Sequence, residues 1–322
     1  MTPGPPTRRE AHFTAWWTGL PPAAGSAVMA TGIISVGLHL LGHETLSRAA
    51  LTLAAVAWTA LAADFTVRLT RQRSRWEAEA DTPPALTAVA ATCVLGTRLS
   101  LLGRQPLAVT LLVVAAVLWP VLLPAVLRHW GHRMPGAVFL VCVATQGIAV
   151  LCGTLAAALP ARGLSAVALV FFCLGLVLYA AAFARFDLAN VRTGAGDQWV
   201  AGGALAISAL AGAKLVASPL FTGAWHDTLR TATLIVLALD LAWYLVLLLA
   251  EARWPRPRYD VRRWATVFPM GMTAVATLSV SAAADISWLA PPGRVLLWVA
   301  VAAWLCAFAG MVRQAAAGRS ER

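Results

Sequence analysis

Long apolar runs alternate with short polar segments along the whole chain. Each run has about the 20 residues that a helix needs to cross the hydrocarbon core of a bilayer. The runs are continuous and lack a period of two, which excludes a membrane β-barrel and predicts an all-α bundle of transmembrane helices. We expect ten spans, at 22–41, 48–69, 85–103, 106–127, 135–159, 163–186, 198–218, 229–250, 263–284 and 292–312.

The domain organisation predicted from this pattern is one ten-helix transmembrane domain over 21–313. A polar tail at 1–20 precedes it and a second tail at 314–322 follows it. The first tail lacks the apolar core and small-residue cleavage site of a signal peptide, so we interpret it as cytoplasmic. The polar links between spans are no longer than about 20 residues, which leaves no room for a soluble catalytic domain.

Composition and charge support a membrane protein, because 60% of the residues are hydrophobic and only 12% are charged. A soluble domain carries about twice that charged fraction. The net charge of +11 could suit nucleic acid, but the basic residues lie in short links between apolar runs. With the N-terminus in the cytoplasm, eighteen arginines fall on the inner side and six on the outer side. This bias predicts a multi-pass plasma-membrane protein with both termini cytoplasmic and no nucleic-acid partner.

Three ionisable residues inside the spans are functional candidates, because a charge in hydrocarbon is costly. Lys214, near the outer end of span seven, is either a cation at the mouth of an anion path or a snorkelling side chain. Asp240, in the middle of span eight, is either a proton-coupling carboxylate or a structural group bonded to a polar neighbour. Asp64 lies four residues before Arg68, so a local helix pair accounts for it.

Phe268 and Pro269 lie early in span nine. A proline at this place removes one backbone hydrogen bond and bends the helix. The bend could aim the aromatic ring into the axis of the bundle, where the ring would close a path. The alternative is a kink with a lipid-facing ring, and periodicity by itself favours that alternative.

Residues for metal, cofactor or enzyme chemistry do not converge in the sequence. All five cysteines lie in apolar runs, without a CxxC pair or a histidine at ligand spacing. No phosphate-binding loop, nucleophile elbow or dinucleotide motif is present. We therefore expect no cofactor, no metal site and no enzymatic activity.

Four segments together resemble a known family. Span one contains GSAVMATGIISVG, span five VATQGIAVL, span seven WVAGGALAISALAG and span nine RWATVFPMGMTAVAT. They are similar to motifs of the tellurite-resistance and C4-dicarboxylate transporter family, within the voltage-dependent anion channel superfamily. That family includes bacterial tellurite-resistance proteins, fungal malic-acid transporters and plant slow anion channels. The resemblance covers almost the whole chain, in the correct order on odd-numbered spans.

The resemblance implies five helical hairpins around a quasi-fivefold axis, with odd-numbered helices lining a central pore and even-numbered helices outside. It implies a homotrimer with a pore in each protomer, a small-anion substrate, and a gate at the span-nine phenylalanine, which matches Phe268. The odd-numbered spans contain no Asp or Glu that would repel anions. The candidates for pore-lining positions are Thr31, Gly32, Thr97, Thr145, Gln146 and Thr273, and those for attracting anions are Arg98 and Lys214.

Alternatives remain open for these polar side chains and for the function. Each threonine hydroxyl could instead bond to its own helix, and Gln146 either crosslinks helices or lines a wet path. The leading functional hypothesis is a conduit for inorganic anions or a C4-dicarboxylate such as malate, gated by Phe268. The second is a proton-coupled transporter of dicarboxylate or tellurite that uses Asp240. The third, an intramembrane enzyme or metal-handling protein, needs a side-chain cluster that we cannot assemble.

Overall fold

The computed structural model describes residues 24–71, 80–159, 161–256 and 259–320, with side chains up to residue 316. The regular secondary structure of this part of the chain is helical, as the apolar runs predict. One-turn 3-10 segments precede α3, α5, α7, α9 and α10. A one-turn α-helix, Asn190–Thr193, precedes the 3-10 segment before α7. The ten longer helices of the described residues are α1 (Gly25–Leu40), α2 (Glu44–Arg71), α3 (Thr87–Leu101), α4 (Gln105–Arg128), α5 (Leu140–Ala158), α6 (Arg162–Phe183), α7 (Val200–Val216), α8 (Ala224–Arg253), α9 (Trp264–Ala283) and α10 (Ala290–Ser320).

Nine helical segments of the described residues are long and apolar enough to cross a membrane, and α1 adds a shorter apolar helix. Some ends differ from the predicted spans. α2 begins at Glu44 rather than at residue 48, since Glu44 pairs with Arg48 and a carboxylate suits the first turn of a helix. α10 continues to Ser320, beyond the predicted end at 312. The predicted tail at 1–20 and residues 321–322 lie outside the described residues.

Glycines form the tight turns after α1 and α3. Gly42 and Gly103 both have a φ of 80°, a left-handed conformation that side chains with a Cβ rarely adopt. Their backbone N–H groups donate to carbonyls of the last helical turn. The chain reverses within a few residues at each turn, and α2 and α4 therefore start beside the helices that they follow.

The helices form two layers that differ in burial. In α3, α5, α7 and α9, between 78% and 100% of the apolar window is buried inside the protein. In the even-numbered helices the buried share is 17–33%. α1 is buried along most of its length. We call the odd-numbered helices the inner helices and the even-numbered helices, which present apolar side chains to lipid, the outer helices.

The inner helices pack side by side in a closed order. α1 contacts α3, α3 contacts α5, α5 contacts α7, α7 contacts α9, and α9 returns to α1. Each inner helix also packs against the outer helix that follows it. Neighbouring inner helices run parallel, since residues pair in the same order along them: Gly25 and then Gly32 of α1 contact Thr87 and then Val94 of α3, and Cys93 and then Gly96 of α3 contact Gly147 and then Leu151 of α5. Their last residues therefore lie at one end of the bundle, which we call the C-terminal mouth.

A glycine lies at each of these five interfaces and sets the distance between the helices. A Cβ atom added at Gly203 of α7 would lie 2.8 Å from Cγ of Pro269 on α9, closer than real side chains approach. Small residues allow such close packing of helices in membranes. The other four interfaces contain the contacts Gly32–Val94, Gly147–Cys93, Gly153–Lys214 and Gly271–Ile33.

Three tryptophans of the outer helices donate hydrogen bonds to threonines of the inner helices. The indole Nε1–H bonds to the threonine Oγ1 at 2.9–3.0 Å in the pairs Trp58–Thr92, Trp119–Thr145 and Trp304–Thr31. Each threonine hydroxyl donates its own proton to the carbonyl four residues earlier in its helix. Both the indole proton and the hydroxyl proton are thus hydrogen-bonded within the apolar bundle. The three bonds join α2 to α3, α4 to α5 and α10 to α1.

The glycine contacts predict a position-dependent effect of alanine. In Gly203→Ala the new methyl group meets Pro269, so we expect the unfolding free energy to fall by about 1–3 kcal/mol. Gly163→Ala is the matched control, since a Cβ at Gly163 meets no atom within 4 Å. Thermal unfolding of the two variants in detergent measures the effect, and equal unfolding temperatures would contradict the close-packing account.

The indole–threonine bonds predict a difference between two threonines. Thr145→Val leaves the Trp119 N–H without an acceptor, and we expect a loss of stability of about 0.5–2 kcal/mol. Thr97→Val is the control, because the Thr97 hydroxyl has no partner among the described residues and valine keeps its shape. Unfolding in detergent should rank Thr145→Val below Thr97→Val, and the reverse order would count against the bond.

Candidate conduit between the inner helices

Phe268 and Pro269 lie in the second turn of α9, and only 1% of Phe268 is exposed. Pro269 packs on Gly203 of α7. Two residues later, Gly271 packs on Ile33 of α1. α9 therefore contacts both of its inner neighbours directly beside the phenylalanine, and the aromatic ring lies inside the protein rather than against lipid.

Four of the predicted pore-lining residues are bonded at helix interfaces. Thr31 and Thr145 accept the indole protons of α10 and α4. Thr273 donates to Oδ1 of Asp240 on α8 at 3.2 Å. Gln146 donates from Nε2 to a backbone carbonyl of α6 at 3.0 Å, so its amide crosslinks two helices. In this structure all four side chains are turned toward outer helices.

Thr97 differs from these residues, because its buried hydroxyl has no hydrogen-bond partner among the described residues. Four residues before it, Cys93 contacts α5 at Gly147, and three residues before it, Val94 contacts α1 at Gly32. Residues three and four apart lie on one face of a helix. Thr97 therefore lies on the side of α3 between its two inner neighbours, while Gly32 is part of the α1–α3 contact.

Arg98 is completely buried and bonded to α2. Its Nε donates to Oγ of Ser47 at 2.9 Å, and its Nη2 donates to Oε1 of Glu44 at 2.8 Å. Ser47 also exchanges hydrogen bonds with the backbone and hydroxyl of Ser35 on α1. These contacts join α1, α2 and α3 at the C-terminal mouth. Glu44 thus pairs with both Arg98 and Arg48. The predicted span two begins at residue 48, so the sequence does not indicate a carboxylate beside Arg98.

Lys214 lies in the last turn of α7 and is partly exposed. No carboxylate of the described residues forms an ion pair with it. A Cβ at Gly153 of α5 would lie 2.7 Å from its Cβ. Eleven residues, about three turns, separate Lys214 from Gly203, so both lie on one face of α7. Because Gly203 contacts α9, this face points between α5 and α9, the two inner neighbours of α7.

Asp240 is fully buried where α8 meets α7 and α9. Its Oδ1 accepts the hydrogen bond from Thr273, while its Oδ2 has no partner among the described residues. Trp243 Nε1 and Tyr244 Oη, on the same stretch of α8, also lack partners there. Buried polar atoms are nearly always bonded to protein or water. The carboxylate thus lies near two other polar groups without partners in the described part of the chain, and a bound water molecule or a proton on the carboxylate could supply the missing hydrogen bonds.

A basic cleft opens at the other end of the bundle, where α7 and α9 begin. It has a volume of about 550 Å³, and Arg192, Arg253, Arg256 and Arg263 are among its lining residues. Glu251 accepts hydrogen bonds from Arg256 at 2.5 Å and Arg263 at 2.7 Å. The positive ends of the inner-helix dipoles lie at the same end. The charge bias in the sequence assigns these arginines to cytoplasmic links, but it does not predict that they line a cleft.

Asp64, inside the predicted span two, pairs with Arg68 as the spacing of the two residues predicts. Asp64 and Arg68 form an ion pair at 2.7 Å across one turn of α2, and both side chains are largely buried. The local helix pair is therefore confirmed, and this carboxylate does not enter the inner layer.

A family model matches most of the chain, and two known proteins match a shorter part of it. A family model described as voltage-dependent anion channel matches residues 19–312, which include α1 to α9 and most of α10. Over 134 residues the chain is 33% identical to uncharacterized membrane proteins of Mycobacterium tuberculosis strains CDC 1551 and H37Rv. These alignments cover 38% of this chain and 68% of each relative. The chain is therefore a multi-pass membrane protein that belongs to the voltage-dependent anion channel family, a family of channels and transporters rather than enzymes.

Proposed function

We propose that the five inner helices enclose a conduit through which small anions cross the membrane, and that Phe268 gates this conduit. Family membership supports anion transport in general. The quasi-fivefold arrangement of five hairpins, the conduit and the gate are the specific content of the proposal. The observation that carries it is the closed order of inner-helix contacts beside the buried ring of Phe268.

The contacts of α9 support an axial position for Phe268. A helix turns about 100° per residue, so from Pro269, which faces α7, the direction of Gly271 toward α1 is about 200° away. Thr273, which faces α8, lies at about 40° on the same scale. Phe268 and Met272 lie at about 260° and 300°. This is the side of α9 between its inner neighbours and away from α8.

On each inner helix, the helical geometry selects one side chain that faces the proposed axis. On α1, α3, α5 and α7 the chosen position lies three or four residues from contacts with both inner neighbours, which leaves the direction between those neighbours. On α9 the position is that of Phe268, derived above from the contacts of Pro269 and Gly271. They are Met29, Thr97, Val150, Ile207 and Phe268. Each is at most 4% exposed, which suits a closed conduit. Carboxylates are absent from the described residues of the inner helices, so the proposed path contains no fixed charge that repels anions.

The proposed gate predicts a gain of function. Phe268→Ala removes the largest of the axial side chains, and we expect anion flux through reconstituted liposomes to rise by at least about tenfold, as expected where an apolar constriction controls conduction. Chloride and nitrate flux, measured with the purified protein, provides the readout.

Phe308→Ala is the matched control for this experiment, since Phe308 lies on α10 and is 38% exposed on the outer surface. We expect its flux to equal that of the unchanged protein. Normal folding of Phe268→Ala with no increase in flux would refute the gate.

We further propose that both termini are cytoplasmic and that the protein is a homotrimer in the plasma membrane. The excess of arginines at the N-terminal ends of the inner helices supports the orientation. The family resemblance is the support for the trimer.

A proton-coupled transporter is the second candidate, and the unpaired oxygen of Asp240 favours it. Asp240 is bonded to Thr273, five residues beyond Phe268 on the same helix. Loss or gain of a proton at this carboxylate would change its bond to α9. Uptake of a dicarboxylate would then depend on a pH gradient.

The two candidates differ in the effect of Asp240→Asn. Asparagine keeps an acceptor for Thr273 but cannot exchange a proton, so a coupled transporter should lose uptake driven by a pH gradient. A passive conduit should keep its flux within about twofold, since the acceptor for Thr273 is retained. Malate uptake into liposomes, with and without a pH gradient, separates these outcomes.

A further inference from the structure

We propose that Lys214 and Thr97 form an anion-binding site at the C-terminal mouth, and that this site selects singly charged anions over dicarboxylates. The inference rests on the proposed conduit and specifies its substrate class. It combines an unpaired cation, an unpaired buried hydroxyl and the common direction that the two groups face.

The two groups approach the same stretch of α5 from opposite sides. Gly96, the residue before Thr97, packs on Leu151 of α5, and Lys214 packs on Gly153. Leu151 and Gly153 are two residues apart, so Thr97 and Lys214 lie at nearly the same depth in the bundle. Each lies on the face of its helix that points between its inner neighbours. Both side chains therefore face the axis about one turn from the C-terminal mouth.

Both groups have hydrogen-bond donors that no protein group of the described residues occupies. The Thr97 hydroxyl is buried and without a partner. Thr31, Thr92 and Thr145 by contrast each donate to a carbonyl of their own helix. Lys214 has three N–H donors and forms no ion pair with a described carboxylate. A buried polar atom without a partner in a native protein indicates a ligand or water at that place.

Among the described residues of the inner helices, Lys214 is the basic side chain near this level that has no carboxylate partner. The five inner helices all end at the C-terminal mouth, where the negative ends of their dipoles disfavour an anion. Arg98 is bonded to Glu44, which it shares with Arg48, whereas Lys214 forms no ion pair with a described carboxylate. One ammonium can balance one anionic charge. The second carboxylate of a C4-dicarboxylate would remain unpaired among apolar groups, which is costly.

Binding can be measured without flux. In thermal unfolding of the purified, unmodified protein, we expect nitrate and chloride to raise the unfolding temperature with saturation, and malate at equal ionic strength to do so less. Lys214→Met should raise the half-saturating nitrate concentration by about tenfold, Thr97→Val should raise it by less, and Lys214→Arg should restore binding. Arg294→Met is the control, because it removes the same charge from an exposed position of α10 at the same end.

Flux tests the selectivity of the site. In liposomes with Phe268→Ala protein, we expect chloride and nitrate to pass faster than malate, and Lys214→Met in that background to lower inorganic anion flux about tenfold. Equal nitrate affinity with and without Lys214, or malate flux equal to chloride flux, would overturn the inference. If Phe268→Ala passes no anion but Lys214→Met still weakens nitrate binding, the conduit proposal fails and the binding site remains.

Discussion

Glycine contacts between parallel inner helices determine how closely these helices pack and which of their faces meet. Where Gly203 meets Pro269 or Gly32 meets Val94, a Cβ on the glycine would lie 2.8 Å from the facing side chain, so a larger residue would not fit without a shift. Contacts of this kind lie at all five interfaces, at 2.7–3.1 Å, and they identify which face of each inner helix meets its neighbour. The position of each side chain relative to the axis then follows from helical periodicity. The direction of Phe268 is thus a consequence of its neighbours Pro269 and Gly271.

Hydropathy was sufficient to predict the helical fold, because the long apolar runs leave no other structure in a bilayer. It could not predict which face of an inner helix points to the axis, since these helices are apolar or small on every side. Thr97 and Thr145 are chemically identical, and only the indole of Trp119, from another helix, distinguishes them. The family motif suggested that Phe268 faces the axis, whereas periodicity favoured the opposite interpretation, and the structure shows that the ring is buried.

Pairing between distant residues was the other feature that the sequence concealed. Arg98 and Glu44 are 54 residues apart, and no local spacing marks them as partners. Asp64 and Arg68, four residues apart, could be predicted for that reason. The two basic side chains near the C-terminal mouth therefore differ in their contacts. Arg98 joins α3 to α2 through Glu44 and Ser47, whereas Lys214 forms no ion pair with a described carboxylate.

The three tryptophans that bond to inner-helix threonines give the outer helices a common point of attachment. Trp58, Trp119 and Trp304 each lie fourteen residues after the first residue of their helices, Glu44, Gln105 and Ala290. Each indole bonds to the inner helix that comes next in the closed order of inner-helix contacts. One polar anchor near the middle of the helix therefore recurs in three outer helices whose apolar sequences differ.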